Sequence, residues 1–320
     1  VEARTIDLST GAVSAAPVWS AQTQLDNKTS ATVPGGTSRT IYFHKPGATN
    51  NLEYFFGTLP FMNATEMSWF SGPWISGGGG APLSQWSSLT ATQQAIGGAS
   101  KNLVLFLRGD SMFEAQASNP AGNHIYRDRT HVLGDIVNAQ PVYVKTANAD
   151  YTDTGYAAFK DCVNNGVGGG CSGARVSNVY VSANDGMLHA LNGDTGDERW
   201  AFIPRVVMPN LYRLADQDYA NRHQYYIDGS PTVGDVYDPV ASAWKTILVG
   251  GLNSGGRGYY ALDITDPLNP IALWEFTVRD TASCPSVTVL GTDTDDCDLG
   301  LTYGNPVITK LTSGEWVVMV

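Results

Sequence analysis

Positive charge, long apolar runs and closely spaced cysteines are all scarce in this sequence, and each shortage removes a class of function. Only 19 Lys and Arg stand against 30 Asp and Glu, a formal net charge of -11. A nucleic-acid surface needs the opposite balance. No apolar run approaches the ~20 residues of a membrane-spanning helix. The 4 Cys show no Cys-x-x-Cys spacing of zinc or thiol-redox sites. Gly-x-Ser-x-Gly, His-Glu-x-x-His and phosphate-cradling glycine loops are missing. His44, His124, His131 and His223 have no motif-borne Ser or Cys nucleophile. His189 sits in an alternating strand and reads as a satisfied interior histidine. Catalysis is therefore not expected. The chain begins at Val1 with no signal-peptide pattern, and its last strand, Gly314 to Val320, stops without a turn. Both features suggest a segment of a longer precursor.

What the sequence does hold is glycine and aromatics, with 35 Gly, 15 Tyr, 8 Trp and only 15% charged residues in 320. That composition suits an exported β-protein. Cys162 and Cys171 bracket a Gly/Asn-rich loop, and Cys284 and Cys297 bracket a second irregular stretch. The even count and polar setting suggest two short-range disulfides, Cys162–Cys171 and Cys284–Cys297, and an oxidising compartment. Other pairings of the same four cysteines stay open.

Residues 1–130 read as a weakly patterned, irregular N-terminal region. It holds short strand candidates at Arg39–His44 and Leu52–Phe56, and a flexible breaker at Gly77–Gly80. Trp69, Trp74 and Trp86 are expected to anchor loops. Lys101 to Leu107 predicts a short helix ended by Gly109. From about 131 to 320 a repeat takes over. The first copy runs from Gly134–Val144 through Val179–Ala183 and Met187–Leu191 to Glu198–Phe202, with Asn184-Asp185-Gly186 as turn residues. The second copy follows in the same order at 229–236, 245–250, 258–263 and 272–276. A third opens at Gly304 and is cut at Val320. Landmarks recur at Pro141, Pro231 and Pro306, at Ala190-Leu191-Asn192 and Ala261-Leu262-Asp263, and at Trp200 and Trp274. Repeated four-stranded antiparallel units predict an all-β fold of propeller blades. About two and a half blades are present, stretched by insertions near 146–177, 203–228 and 277–300. A Greek-key sandwich does not explain the recurring order of landmarks.

Several runs together resemble the PilY/PilC family of type IV pilus proteins. They are Leu107-Arg108-Gly109-Asp110, Tyr126-Arg127-Asp128-Arg129 with the stretch to Asn138, Ala183 to Ala190, Gly250 to Asp263, and Asp298-Leu299-Gly300 onward to Pro306. The run Gly186 to Trp200 also resembles the blade signature of quinoprotein-type propellers. The first resemblance implies a modified seven-bladed propeller and a non-enzymatic role in pilus extension, surface attachment and twitching motility under calcium control. It further implies export through the periplasm to the cell surface, at the pilus tip or outer membrane. Partners would be minor pilins and a host or abiotic surface receptor. The second implies the alternative, a dehydrogenase dependent on pyrroloquinoline quinone. No organic cofactor is expected under the first reading.

Two candidate sites remain. Asp293, Asp295, Asp296 and Asp298 form the densest acidic run, and closely spaced carboxylates can hold calcium. The run lacks a calcium-loop spacing, so a solvated loop competes with that reading, and the family's main calcium site is expected outside this segment. Arg108-Gly109-Asp110 could bridge an integrin-type receptor if exposed. The competing reading is a helix terminus packed by Leu103, Phe106 and Leu107.

Overall fold

The computed structural model describes residues 1–29, 38–168, 173–278, 295–296 and 298–320. In chain order its elements are β1 (Glu2–Ala3), β2 (Trp19–Ser20), α1 (Ala21–Lys28), β3 (Ile41–His44), β4 (Leu52–Tyr54), α2 (Ala64–Ser68), α3 (Ala91–Gly97) and α4 (Ser100–Leu107). The first repeat supplies β5 (Val142–Val144), α5 (Tyr156–Asn165), β6 (Asn178–Ala183), β7 (Met187–Asn192) and β8 (Glu198–Ile203). The second supplies β9 (Thr232–Asp238), β10 (Ala243–Gly251), β11 (Gly258–Asp263) and β12 (Ile271–Val278). Then come β13 (Asp295–Asp296), β14 (Val307–Lys310) and β15 (Trp316–Met319).

The repeat becomes two antiparallel meanders, β5–β8 and β9–β12, followed by the β14–β15 hairpin. These are successive propeller blades, and the described sheets do not close into a ring. The recurring Ala-Leu landmark has a physical basis. In both units a β-bulge falls at that step, between Ala190 and Leu191 and between Ala261 and Leu262. The alanine pairs across the ladder with the landmark tryptophan, Ala190 with Trp200 and Ala261 with Trp274. A small side chain opposite a large one lets the indole lie over the neighbouring strand without a clash. Trp200 is buried and its Nε1 donates to the Pro267 carbonyl of the second unit at 2.9 Å, so the landmark also links adjacent blades.

Strand β6 is buried along its whole length, because its alternate residues face two cores. Tyr180 enters the main core with Trp200 and Phe202, while Val179 and Val181 pack with Trp19, Ala21 and Leu191. A recurrent link joins consecutive units at the turn after each second strand. Asn184 Oδ1 accepts from Tyr226 N at 3.1 Å, and Leu252 N donates to Thr302 Oγ1 at 3.1 Å.

The N-terminal segment is more regular than its composition suggests. β3 adds to β8 in parallel and β4 pairs with β3, so the first sheet has six strands in the order β4-β3-β8-β7-β6-β5. α4 ends as expected, with Gly109 at φ +108° and its N–H donating to the Phe106 carbonyl. Elsewhere the structure departs from the sequence reading. Of the glycine run expected as a flexible breaker, Gly77 and Gly78 lie in a wide turn over Trp74–Gly78 and Gly79 caps it. The insertion at 146–177 contains helix α5, which packs Tyr156 against Trp244 at a ring distance of 4.7 Å.

Gly186 closes the β6–β7 turn at φ +86°, and a Cβ there would lie 2.3 Å from Leu211 Cδ2. Gly186→Ala is therefore expected to destabilise the protein by about 2–4 kcal/mol, through backbone strain plus overpacking. Urea denaturation with an unchanged slope would show it, and a loss under ~1 kcal/mol would contradict this account.

Candidate functional site

Four charged side chains converge at the turn and inner face of the first blade. β7 alternation turns His189 inward, and the β7–β8 ladder carries Glu198 beside it. The turn supplies Asp185, and Arg39 enters from the residues just before β3. Arg39 Nε and Nη2 donate to the two Glu198 oxygens at 2.7 Å each, a bidentate fork. His189 Nδ1 lies 2.8 Å from Glu198 Oε1, and its Nε2 lies 3.1 Å from Asp185 Oδ2. Gly134 N and Met187 N donate to the Asp185 carboxylate at 3.0 and 3.2 Å.

Both imidazole nitrogens face carboxylates, so only the doubly protonated ring satisfies both. Burial alone would lower the His189 pKa, but Asp185 and Glu198 outweigh it and push it up to about 9. Burial would raise Glu198, yet Arg39 and His189 hold it well below the usual carboxylate range. Asp185 is likewise lowered against its burial by His189 and Arg39. The network is neutral in sum and contains no free base. Its chemistry is that of a buried tie between the N-terminal segment, β7 and β8.

The tripeptide at 108–110 abuts this network. Arg108 is 1% exposed. Its Nη1 donates to the Phe55 carbonyl at 2.8 Å and its Nη2 to the Arg39 carbonyl at 2.5 Å. Burial and the neighbouring Arg39 lower its pKa to about 10. Gly109 is buried too, and Asp110 Oδ1 accepts from Met112 N at 2.7 Å. Receptor bridging needs an exposed guanidinium, whereas this one holds the β3–β4 hairpin onto α4.

The Tyr126-Arg127-Asp128-Arg129 run is also packing machinery. Arg129 pairs with Glu114 at 2.5 Å and lies over the Phe106 ring at 3.7 Å. Arg127 lies 4.2 Å from the Tyr219 ring centre and donates to the Leu214 carbonyl at 3.0 Å. A cavity of about 100 Å³ lined by Arg127, Arg129, Asp135 and Asp185 sits between them. That is well below the ~300–1,000 Å³ of pockets that hold organic ligands.

Among the described residues, no group of three or more His, Cys, Asp or Glu could hold a metal ion. Of the acidic run, Asp293 lies outside the described residues. Asp295 and Asp296 form β13, paired in parallel with Thr277 and Val278, and Asp298 is exposed. Cys162 lies in α5 and is disulfide-bonded. Cys171, Cys284 and Cys297 lie outside the described residues, so neither expected pairing is visible as such.

A family profile described as the PilY1 beta-propeller domain matches residues 133–320. The chain belongs to the PilY1 β-propeller family. Relatives of that family include a type IV pilus biogenesis factor PilY1 homolog of Xylella fastidiosa (strain Temecula1), 37% identical over 268 residues. That match covers 82% of this chain and 19% of the relative. Type IV pilus biogenesis factor PilY1 of Pseudomonas aeruginosa (strain PAO1) is 34% identical over 256 residues, covering 76% of this chain and 20% of the relative. The chain thus spans about a fifth of the curated PilY1 relatives it matches. The crystal structure of the P. aeruginosa PilY1 C-terminal domain shares 31% identity over 55% of this chain and 30% of that one, with a TM-score of 0.37. The PilY1 match begins at Leu133, one residue before Gly134, where the sequence repeat opens.

Sequence reading found His189, and took Asp185 and Glu198 as turn and hairpin residues. It missed their joint burial with Arg39, because that residue is some 150 positions away in sequence. A charged residue alternating inward on each of two adjacent strands was the available signal.

The network sets a pH dependence. His189 titrates higher in the folded state than in the unfolded chain, so its contribution is full below about pH 6.5 and is lost as pH rises through about 9. The lowered carboxylates act oppositely, and their contribution is lost as pH falls below the usual carboxylate range. His189→Gln is expected to cost about 3–5 kcal/mol near neutrality and to flatten the decline between pH 7 and 9. Stability measured by denaturant titration across that range checks both, and an unchanged alkaline decline in His189→Gln would contradict the assignment.

Proposed function

We propose that this chain is the blade-bearing part of a non-enzymatic type IV pilus biogenesis factor at the cell surface. It supports pilus extension, twitching motility and surface attachment, with minor pilins at the pilus tip and a host or abiotic receptor as partners. The observation that carries this reading is the PilY1 β-propeller match over residues 133–320, joined to the way the blade's own titratable groups are spent. His189, Glu198, Asp185 and Arg39 satisfy one another inside the sheet. They stiffen a scaffold and leave its loops to make contacts.

Within this reading the protein reaches the surface through the periplasm, where the Cys162–Cys171 and Cys284–Cys297 pairings form. The insertions at 146–177 and 277–300 vary its contacts. No helix of the described residues is long and apolar enough to cross a membrane. Following the family resemblance, we assign calcium control of extension to ligands elsewhere in the full-length protein. The quinone-dependent dehydrogenase is the competing reading, and both carboxylates of the ion network are already paired.

The test uses the full-length gene in its host. Deleting residues 133–320 is expected to reduce surface pili at least tenfold by electron microscopy and to abolish the twitching zone. Replacing Asp293, Asp295, Asp296 and Asp298 together by Asn is expected to preserve the calcium response of piliation. Normal piliation after the deletion would sink the pilus reading, and loss of the calcium response in the Asn variant would sink the placement of calcium elsewhere.

A further inference from the structure

A second cavity lies away from the ion network, where the turn around Gly77–Gly80 faces the insertion at 203–228. Its volume is about 630 Å³, large enough for a two-ring polar ligand, and its walls include Trp86, Ser87, Arg213, Arg222 and Gln224. A neighbouring cavity of about 340 Å³ shares Arg213 and Gln224 and adds Tyr225.

The charges on this wall are unequal in their commitments. Arg222 is paired, with Nη1 3.3 Å from Asp216 and Nε 3.4 Å from Asp218. His223 is held by Asp135 at 2.9 Å. Arg213 is different. Its Nε is buried without a hydrogen-bond partner, and among the described residues its guanidinium forms neither a salt bridge nor a side-chain hydrogen bond. The Tyr212 ring lies 5.6 Å from it. A half-buried guanidinium with five donors and no acceptor is poorly compensated, and it matches the two oxygens of a carboxylate. Among the described residues Arg108, Arg199 and Arg205 also have an unpartnered buried Nε, and of these four arginines Arg213 alone lines this cavity.

The rest of the wall narrows the ligand. The Ser87 hydroxyl and the Gln224 amide make no side-chain hydrogen bonds among the described residues, and the Trp86 indole is partly exposed beside them. An aromatic face bordered by free hydroxyl and amide groups suits a ring of alternating C–H and O–H groups. We propose that this cavity is a binding site for an acidic sugar, its carboxylate on Arg213 and its ring between Trp86 and the Ser87 and Gln224 side chains. The assignment stands apart from the pilus reading, since it concerns direct binding and would hold for any host process.

Isothermal titration of the full-length protein with digalacturonic acid and with its dimethyl ester isolates the carboxylate, because the two share both rings. The acid is expected to bind at least tenfold more tightly than the ester. Arg213→Leu removes that preference, Arg213→Lys retains only part of it, and Gln224→Ala weakens both probes. On the unsubstituted protein, digalacturonic acid is expected to protect Arg213 from phenylglyoxal in a peptide mass map, which is independent of how any variant folds. Equal affinity for acid and ester, an unchanged preference in Arg213→Leu, or no protection of Arg213 would overturn the proposal. So would acetate displacing the disaccharide at equal carboxylate concentration, which would leave an anion site without sugar recognition.

Discussion

Ionised groups removed from water are costly to a fold unless their partners are removed with them, and the first blade is organised around that constraint. Arg39 and His189 bring two positive charges to the two negative charges of Glu198 and Asp185. Arg39 and His189 together satisfy the Glu198 carboxylate, and Asp185 accepts further from Gly134 N and Met187 N, so the group is closed both electrostatically and in hydrogen bonds. Because the four residues come from the approach to β3, a turn, β7 and β8, the network ties the N-terminal segment to the sheet. The parallel addition of β3 to β8 follows from the same placement.

The surrounding packing extends this tie outward. Arg108 sits behind Arg39 and joins α4 to the β3–β4 hairpin through backbone carbonyls. Arg129 and Arg127 then fix the chain that leads toward β5, each by an aromatic face and an oxygen acceptor. From there the blades propagate by repetition. The same bulge and the same Ala–Trp pair reappear, and each second-strand turn is hydrogen-bonded onward to the next unit, as expected where each unit buries its apolar face on its neighbour. Function on such a scaffold is a matter of what its loops and cavities hold.

Much of the blade architecture was legible before the structure, because strand alternation and turn glycines are local. Tyr180, Ile247 and Tyr260 lie in strands, and the landmarks Trp200 and Trp274 occupy equivalent rungs. The N-terminal segment was less legible. β3 and β4 are short, and their place beside β8 is decided by Arg39 and Glu198, which are distant in sequence. Helix α5 was hidden because its polar, Gly-flanked sequence resembles a loop, and its order comes from Tyr156 and Phe159 packing on Trp244. The tripeptide at 108–110 suggested a surface motif, whereas tertiary packing draws its arginine inside. Arg213 carried no sequence signal, since an arginine is conspicuous only once its missing partner can be seen.

The central claim is that the Arg39–Glu198 fork couples the N-terminal segment to the blade. A double-mutant cycle with Arg39→Met, Glu198→Gln and the pair, read by denaturant unfolding, measures that coupling directly. The account predicts an interaction energy above about 2 kcal/mol, with the double variant far less destabilised than the sum of the singles. Additive losses, with coupling below about 0.5 kcal/mol, would contradict it.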